Sequence, residues 1–219
     1  MKQTVAMLCL LGVGSSKVYE PLIADSFKNS TFTQQLDHNN FKDRRTFEQR
    51  YWYNDTFWDN KTGPIFLYIC GEATCRPPSE RGFPFQVCQD LNCLFYVLEH
   101  RYYGASQPFS NWSVPNLKYL NSTQALADLD YFIKNKTTEI NAKYGAGVRK
   151  WLTIGGSYPG ALSAWFKSQY TSAAAAWSSS GVIHAIQDYE MYDFDLYKAA
   201  SRSGPDCPKF VSNVTTYIE

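Results

Sequence analysis

Apolar positions along the chain fall into short runs separated by polar turns. Residues 47–53 (FEQRYWY) alternate, the pattern of a strand with one buried face near a sheet edge. Residues 64–70 (PIFLYIC) and 93–99 (CLFYVLE) are nearly continuous apolar runs, which suit strands covered by helices on both faces of a parallel sheet. The stretch 54–63, ending in Gly63-Pro64, reads as the turn between the first two runs. Residues 17–45 are polar and irregular, and a surface leader is expected there.

Between residues 123 and 136 the period changes. Ala125, Leu126, Leu129, Phe132 and Ile133 recur at three- and four-residue steps and form one helical stripe. Residues 121–123 can cap that helix, with Gln124 as a reciprocal partner. Residues 151–154 (WLTI) predict a short buried strand, followed by a helix through Ala161, Leu162, Ala164, Trp165 and Phe166. Residues 173–177 (AAAAW) predict a further strand, although alanine has little strand propensity. Strands alternating with helices imply an α/β fold with a mostly parallel sheet. The loop 100–122, with Pro108 and Pro115, is long for a compact domain, and loops of that length are usually functional or lid-like.

Composition adds exclusions and a compartment. The 219 residues are 44% hydrophobic and 16% aromatic, too apolar for a disordered polymer. Lys and Arg (21) nearly balance Asp and Glu (20) and are scattered, so nothing marks a nucleic-acid or anionic-membrane partner. Lys2, the apolar run 5–13 and the small residues Gly14, Ser15 and Ser16 predict a signal peptide over residues 1–16. That run is too short to span a bilayer, and no later stretch approaches the required length. Asn-x-Ser/Thr triplets at Asn29, Asn54, Asn60, Asn111, Asn121, Asn135 and Asn213 fit a lumenal glycoprotein. Removing Cys9 with the signal leaves Cys70, Cys75, Cys88, Cys93 and Cys207 as disulfide candidates in an oxidising compartment. The x4 spacings also permit zinc, but the signal peptide favours disulfides; pairing within 70–93 is expected, with connectivity left open. The odd count leaves one thiol free or its partner elsewhere.

The sharpest feature is residues 151–160, WLTIGGSYPG. A buried strand meets Gly155-Gly156-Ser157-Tyr158-Pro159-Gly160 and a helix starts at once, the context of a nucleophile elbow. Gly155 and Gly156 permit the close strand–helix approach; Pro159 stands where the common motif has its second glycine, with Gly160 one place late. Proline is acceptable in a first helical turn, whose N–H has no intrahelical partner. Ser157 is the candidate nucleophile, and the Tyr158 amide, at a helix N-terminus, a candidate oxyanion donor.

Four stretches in order carry a resemblance to a family. Residues 32–38 (FTQQLDH) with 46–51 (TFEQRY), 65–72 (IFLYICGE), 97–104 (VLEHRYYG) with Ser106 and Pro108, and 124–128 (QALAD) followed by GGSYPG resemble the secreted serine exopeptidases. That family includes prolyl carboxypeptidase, dipeptidyl peptidase II and the thymus-specific serine protease, and the last branch is the nearest in residues 155–165. The resemblance runs from about Phe32 to the end of the chain. It implies an α/β-hydrolase fold, incomplete here. Residues 46–188 would be its N-terminal part, 17–45 a leader and N-terminal segment, and 189–219 the start of a helical cap. It implies Ser157 as acyl-forming nucleophile, Tyr158 and, more weakly, Gly71 as oxyanion donors, and no metal or organic cofactor. The implied substrates are peptides cleaved next to proline, from the carboxyl end or as amino-terminal dipeptides. Lysosomal, vacuolar or extracellular residence is implied, with no membrane span and no nucleic-acid partner. Asp37, His38, Glu99, His100 and Arg101 lie in family motifs without an assigned chemistry; a structural ion pair is the expected role of 99–101.

Acyl transfer also needs a base and an orienting acid, in α/β-hydrolases ordered Ser, Asp/Glu, His along the chain. His184 is the only histidine after Ser157, and Asp188, Asp193 and Asp195 follow it rather than precede it. The family's acid and base are therefore expected beyond Glu219, as is a partner for Cys207. The alternative is a secreted glycoprotein, inert for want of a base. An esterase or lipase of the same fold is a third reading, against which FTQQLDH and EHRYYG stand.

Overall fold

The computed structural model describes residues 26–218; the signal peptide expected over 1–16 lies outside them. The chain divides into two compact units after Gly181. The described part of the first unit is a six-stranded sheet with helices on both faces. Its strands are β1 (Lys28–Gln35), β2 (Thr46–Asn54), β3 (Ile65–Ile69), β4 (Leu94–Leu98), β5 (Trp151–Gly156) and β6 (Ala175–Ser179), in the order β1-β2-β4-β3-β5-β6. β4, β3, β5 and β6 run parallel; β1 and β2 form an antiparallel hairpin joined antiparallel to β4. β2 and β3, consecutive in sequence, are thus separated by β4.

The helices of this unit are α1 (Phe83–Asp90), the short α2 (Val114–Leu117), α3 (Ser122–Tyr144) and α4 (Tyr158–Gln169). Every residue of β4 is buried, as its unbroken apolar run requires. One core gathers Ile65, Leu67, Leu94 and Trp151 with Phe132 and Ile133 of α3 and Leu162 and Phe166 of α4. A second gathers Phe66, Phe95, Val97 and Ile154 with Phe27, Phe85 of α1 and the four cysteines of 70–93. Those cysteines form the disulfides Cys70–Cys75 and Cys88–Cys93, while Cys207 is free and exposed.

Two expectations change. Residues 17–45 do not form an irregular leader throughout: β1 pairs with β2 over its whole length, and Phe27, Phe32 and Leu36 are buried. Its polar composition misled because Gln34, fully buried, donates to Gln49 Oε1 (2.9 Å) and to the Asp128 carbonyl (3.2 Å), so that a core position holds an amide. The cap of α3 is Asn121, whose Oδ1 accepts the Gln124 N–H at 2.9 Å, but Gln124 does not reciprocate. Its side chain accepts the His38 N–H (2.9 Å) and donates to Asp37 Oδ1 (2.7 Å). The loop 100–122 packs its own small core, where Tyr102, Tyr119 and Leu36 are buried with Phe109, Leu117 and Leu120 against them.

The second unit, Val182–Glu219, contains α5 (Glu190–Ser201) and α6 (Asp206–Ile218), and these two helices contact each other. Among the described residues no helix is long and apolar enough to cross a membrane.

Candidate active site

At the end of β5 the chain turns into α4 within one residue. Ser157 has φ 59° and ψ −126°, a conformation non-glycine residues rarely adopt, and its side chain stands in an exposed position. Close contact below the serine makes this turn possible. A Cβ on Gly155 would overlap the Pro159 carbonyl, and one on Gly160 would come within 2.8 Å of the Ser179 carbonyl and 3.0 Å of the Gly181 Cα. Gly160, one place later than in the common motif, therefore supplies the close approach of α4 to β6. Gly156 is less constrained, its nearest neighbour being the Ser179 carbonyl at 3.8 Å.

The amides around the serine divide into used and free. The Ser157 N–H is committed to the Ser179 carbonyl at 3.0 Å, and the Ser157 carbonyl accepts the Ala161 N–H at 3.0 Å. Tyr158 is the first residue of α4, so its N–H has no partner within the helix and carries the positive end of the helix dipole. The loop after β3 lies alongside: a Cβ on Gly71 would meet the Pro159 ring at 2.8 Å, so only glycine lets that loop approach the elbow. An open cavity of about 490 Å³ lies here, lined among others by Ser157, Gly156, Pro159, Gly71, Glu72 and Arg76. Ser157 and Gly71 thus line one space, and Tyr158 lies next to Ser157 in the chain but is not among the residues that line it. The Cys70–Cys75 bond closes the loop that forms its far wall.

The Tyr158 side chain reaches the other way. His100 Nδ1 faces the Arg101 carbonyl at 2.7 Å and must carry the proton there, leaving Nε2 to accept from the Tyr158 hydroxyl at 3.0 Å. Burial lowers the His100 pKa, keeping the imidazole neutral, and burial pushes the Tyr158 phenol up to about 12, helped by Tyr103 and Glu72. Nothing local in the sequence pairs these residues, which are 58 positions apart.

Three of the motif residues without assigned chemistry, His38, Glu99 and Arg101, take part in buried polar contacts. Glu99, fully buried, accepts from the Arg50 guanidinium (2.6 Å), the Cys75, Ala105 and Ser106 amides and the Ser106 hydroxyl. Arg101 binds Asp128 through two contacts of 2.6 Å, and His38 Nε2 meets the same carboxylate at 2.7 Å. Glu99 and Arg101 are thus each held in an ion pair, with Arg50 and Asp128 respectively. His184 and the aspartates after it belong to the second unit.

Of the seven glycosylation candidates, Asn54 is corrected by its surroundings. It is 3% exposed, its Nδ2 donates to Ser26 Oγ at 2.6 Å and its Oδ1 accepts the Thr56 N–H at 2.9 Å, leaving no room for a glycan. Asn29, Asn111, Asn121 and Asn213 are exposed, and Asn60 and Asn135 half-buried.

The chain is similar to known proteins over most of its length. The family model "Serine carboxypeptidase S28" matches residues 34–219. Lysosomal Pro-X carboxypeptidase of Mus musculus is 32% identical over 222 residues, covering 94% of this chain and 43% of that protein. Thymus-specific serine protease of Homo sapiens is 36% identical over 162 residues, covering 73% of this chain and 31% of that protein. The chain thus spans less than half the length of these relatives. Among solved structures, an alpha/beta hydrolase from a Penicillium species aligns with TM-score 0.48 and 15% identity, covering 80% of this chain and 54% of that one. The strand order and the elbow, rather than that alignment, identify the sheet as the N-terminal part of an α/β-hydrolase fold.

Proposed function

The chain belongs to the serine carboxypeptidase S28 family, and we propose on that premise that it carries the nucleophile and oxyanion hole of a secreted or lysosomal serine exopeptidase. One observation carries the reading: Ser157 is exposed, at positive φ, on a strand-to-helix turn beside unpaired helix-terminal N–H groups. In the reaction the Ser157 oxygen attacks the peptide carbonyl carbon, and its proton passes to a general base. The Tyr158 N–H, with a second donor from the Gly71-Glu72 loop, meets the charge that forms on the carbonyl oxygen. The C–N bond then breaks as the base returns the proton to the leaving amine, and water hydrolyses the remaining ester.

The base and its orienting acid belong, in this reading, to the part of the family's length that the chain does not span. Among the described residues of the first unit, His38 and His100 are both engaged in the contacts given above. Peptides with proline beside the scissile bond are the proposed substrates, in keeping with the name of the lysosomal Pro-X carboxypeptidase relative. The exposed Asn-x-Ser/Thr sites and the two disulfides support residence in the secretory pathway.

A fluorophosphonate probe tests the assignment. Labelling of the whole protein should map to the peptide containing Ser157 and vanish in Ser157→Ala; labelling that persists in that variant would overturn it.

A further inference from the structure

We propose that His100 is a positioning residue for the oxyanion hole: through the Tyr158 hydroxyl it holds the first residue of α4, and with it the amide N–H beside Ser157. The inference rests on Ser157 being the nucleophile.

The elbow holds that peptide unit at one point, where the Ser157 carbonyl accepts the Ala161 N–H at 3.0 Å. Ser157 lies outside the ordinary backbone wells, and its own N–H is already taken by Ser179. Further restraint on that peptide unit comes from its neighbours. On one side the Pro159 ring packs against Gly71. On the other, the Tyr158 side chain runs from the end of β5 to the end of β4, past the end of β3, which lies between them in the sheet. The hydrogen bond at its tip converts that reach into a fixed anchor.

The anchor is itself immobilised. His100 is buried, its Nδ1–H is held by the Arg101 carbonyl, and the Arg101 side chain is locked to Asp128 of α3 and to the carbonyls of Gln35, Leu36 and Tyr119. The Tyr103 ring stands edge-on to the imidazole at 5.3 Å. A cavity of about 320 Å³, lined by Glu72, His100, Tyr103, Leu120, Asn121 and Tyr158, opens beside the pair. A continuous line of contacts, buried as far as His100 and half-buried at Tyr158, therefore runs from α3 to the peptide unit that carries the Tyr158 N–H. An interaction aimed at developing charge loses much of its value when displaced by a fraction of a bond length.

Variants of the whole protein, assayed with a proline-containing peptide, test this. Tyr158→Phe removes only the hydroxyl and should lower kcat about tenfold while KM stays within about twofold. His100→Leu should cost as much, and the double variant no more than either single change, because the two residues act as one unit. His100→Gln, whose side-chain oxygen can take the place of Nε2, should recover most of the His100→Leu loss. A Tyr158→Phe kcat within twofold of wild type, or losses that multiply in the double variant, would overturn the proposal. If His100→Leu fails to fold, Tyr158→Phe and His100→Gln still decide it. Ser157→Ala separates the two levels. Activity surviving in Ser157→Ala overturns the nucleophile assignment and this inference together. Activity abolished there, with Tyr158→Phe unaffected, overturns the inference alone.

Discussion

Arg101 and Asp128, 27 residues apart, meet as a buried two-point ion pair with both contacts at 2.6 Å. Arg101 spends its remaining donors on the carbonyls of Gln35, Leu36 and Tyr119, and Asp128 also takes His38. The N-terminal hairpin, the strap 100–122 and α3 are thus joined at one point. Three of the motifs that carry the family resemblance, FTQQLDH, VLEHRYYG and QALAD, meet in this knot.

Breaking that pair should therefore be a stability defect. Asp128→Asn leaves the Arg101 guanidinium buried without a counter-charge and is expected to cost about 3–5 kcal/mol. Urea unfolding of the whole protein measures it; a cost below about 1 kcal/mol would show that the pair contributes little.

The elbow makes a sharper comparison between adjacent glycines. Gly155→Ala drives a Cβ into the Pro159 carbonyl and should cost about 1–3 kcal/mol or more, with loss of fluorophosphonate labelling. Gly156→Ala finds its nearest atom at 3.8 Å and should stay within about 1 kcal/mol of the parent, with labelling kept. Equal behaviour of the two would contradict the described turn.

Burial of His100 predicts a pH dependence of stability. Its folded pKa lies below the ordinary value of 6.5, so the unfolded chain takes up the proton first as pH falls. The contribution is fully present above about pH 6.5 and is lost as pH falls toward and through the folded pKa. The parent should therefore lose more stability than His100→Gln between pH 7 and the acid side of that window. Parallel curves for the two proteins would rule the dependence out.

Much of the sheet was readable because burial on both faces leaves an unbroken apolar run. Residues 64–70 and 93–99 announced β3 and β4 in that way, and the glycines flanking Ser157 announced the elbow, since only small residues allow a strand to turn into a helix so abruptly. β1 escaped notice because it holds a buried amide, Gln34, where a strand of this kind ordinarily holds an aliphatic residue. α1, over residues 83–90, was missed outright, since eight residues beginning with Phe-Pro offer too short a stripe to register a period.

By itself, then, the order of residues determined the alternation of strand and helix, the turn that exposes the Ser157 hydroxyl and the kinship that the comparisons bear out. Local chemistry suffices for these, because backbone strain and apolar periodicity act over a few neighbouring positions. Only the tertiary structure decided that β4 inserts between β2 and β3. The same holds for Gly160 against β6, the Asp128–Arg101 pair and the Tyr158 hydroxyl on His100. Each is a contact between segments far apart in the chain, and such contacts leave no periodic trace in either partner's own sequence.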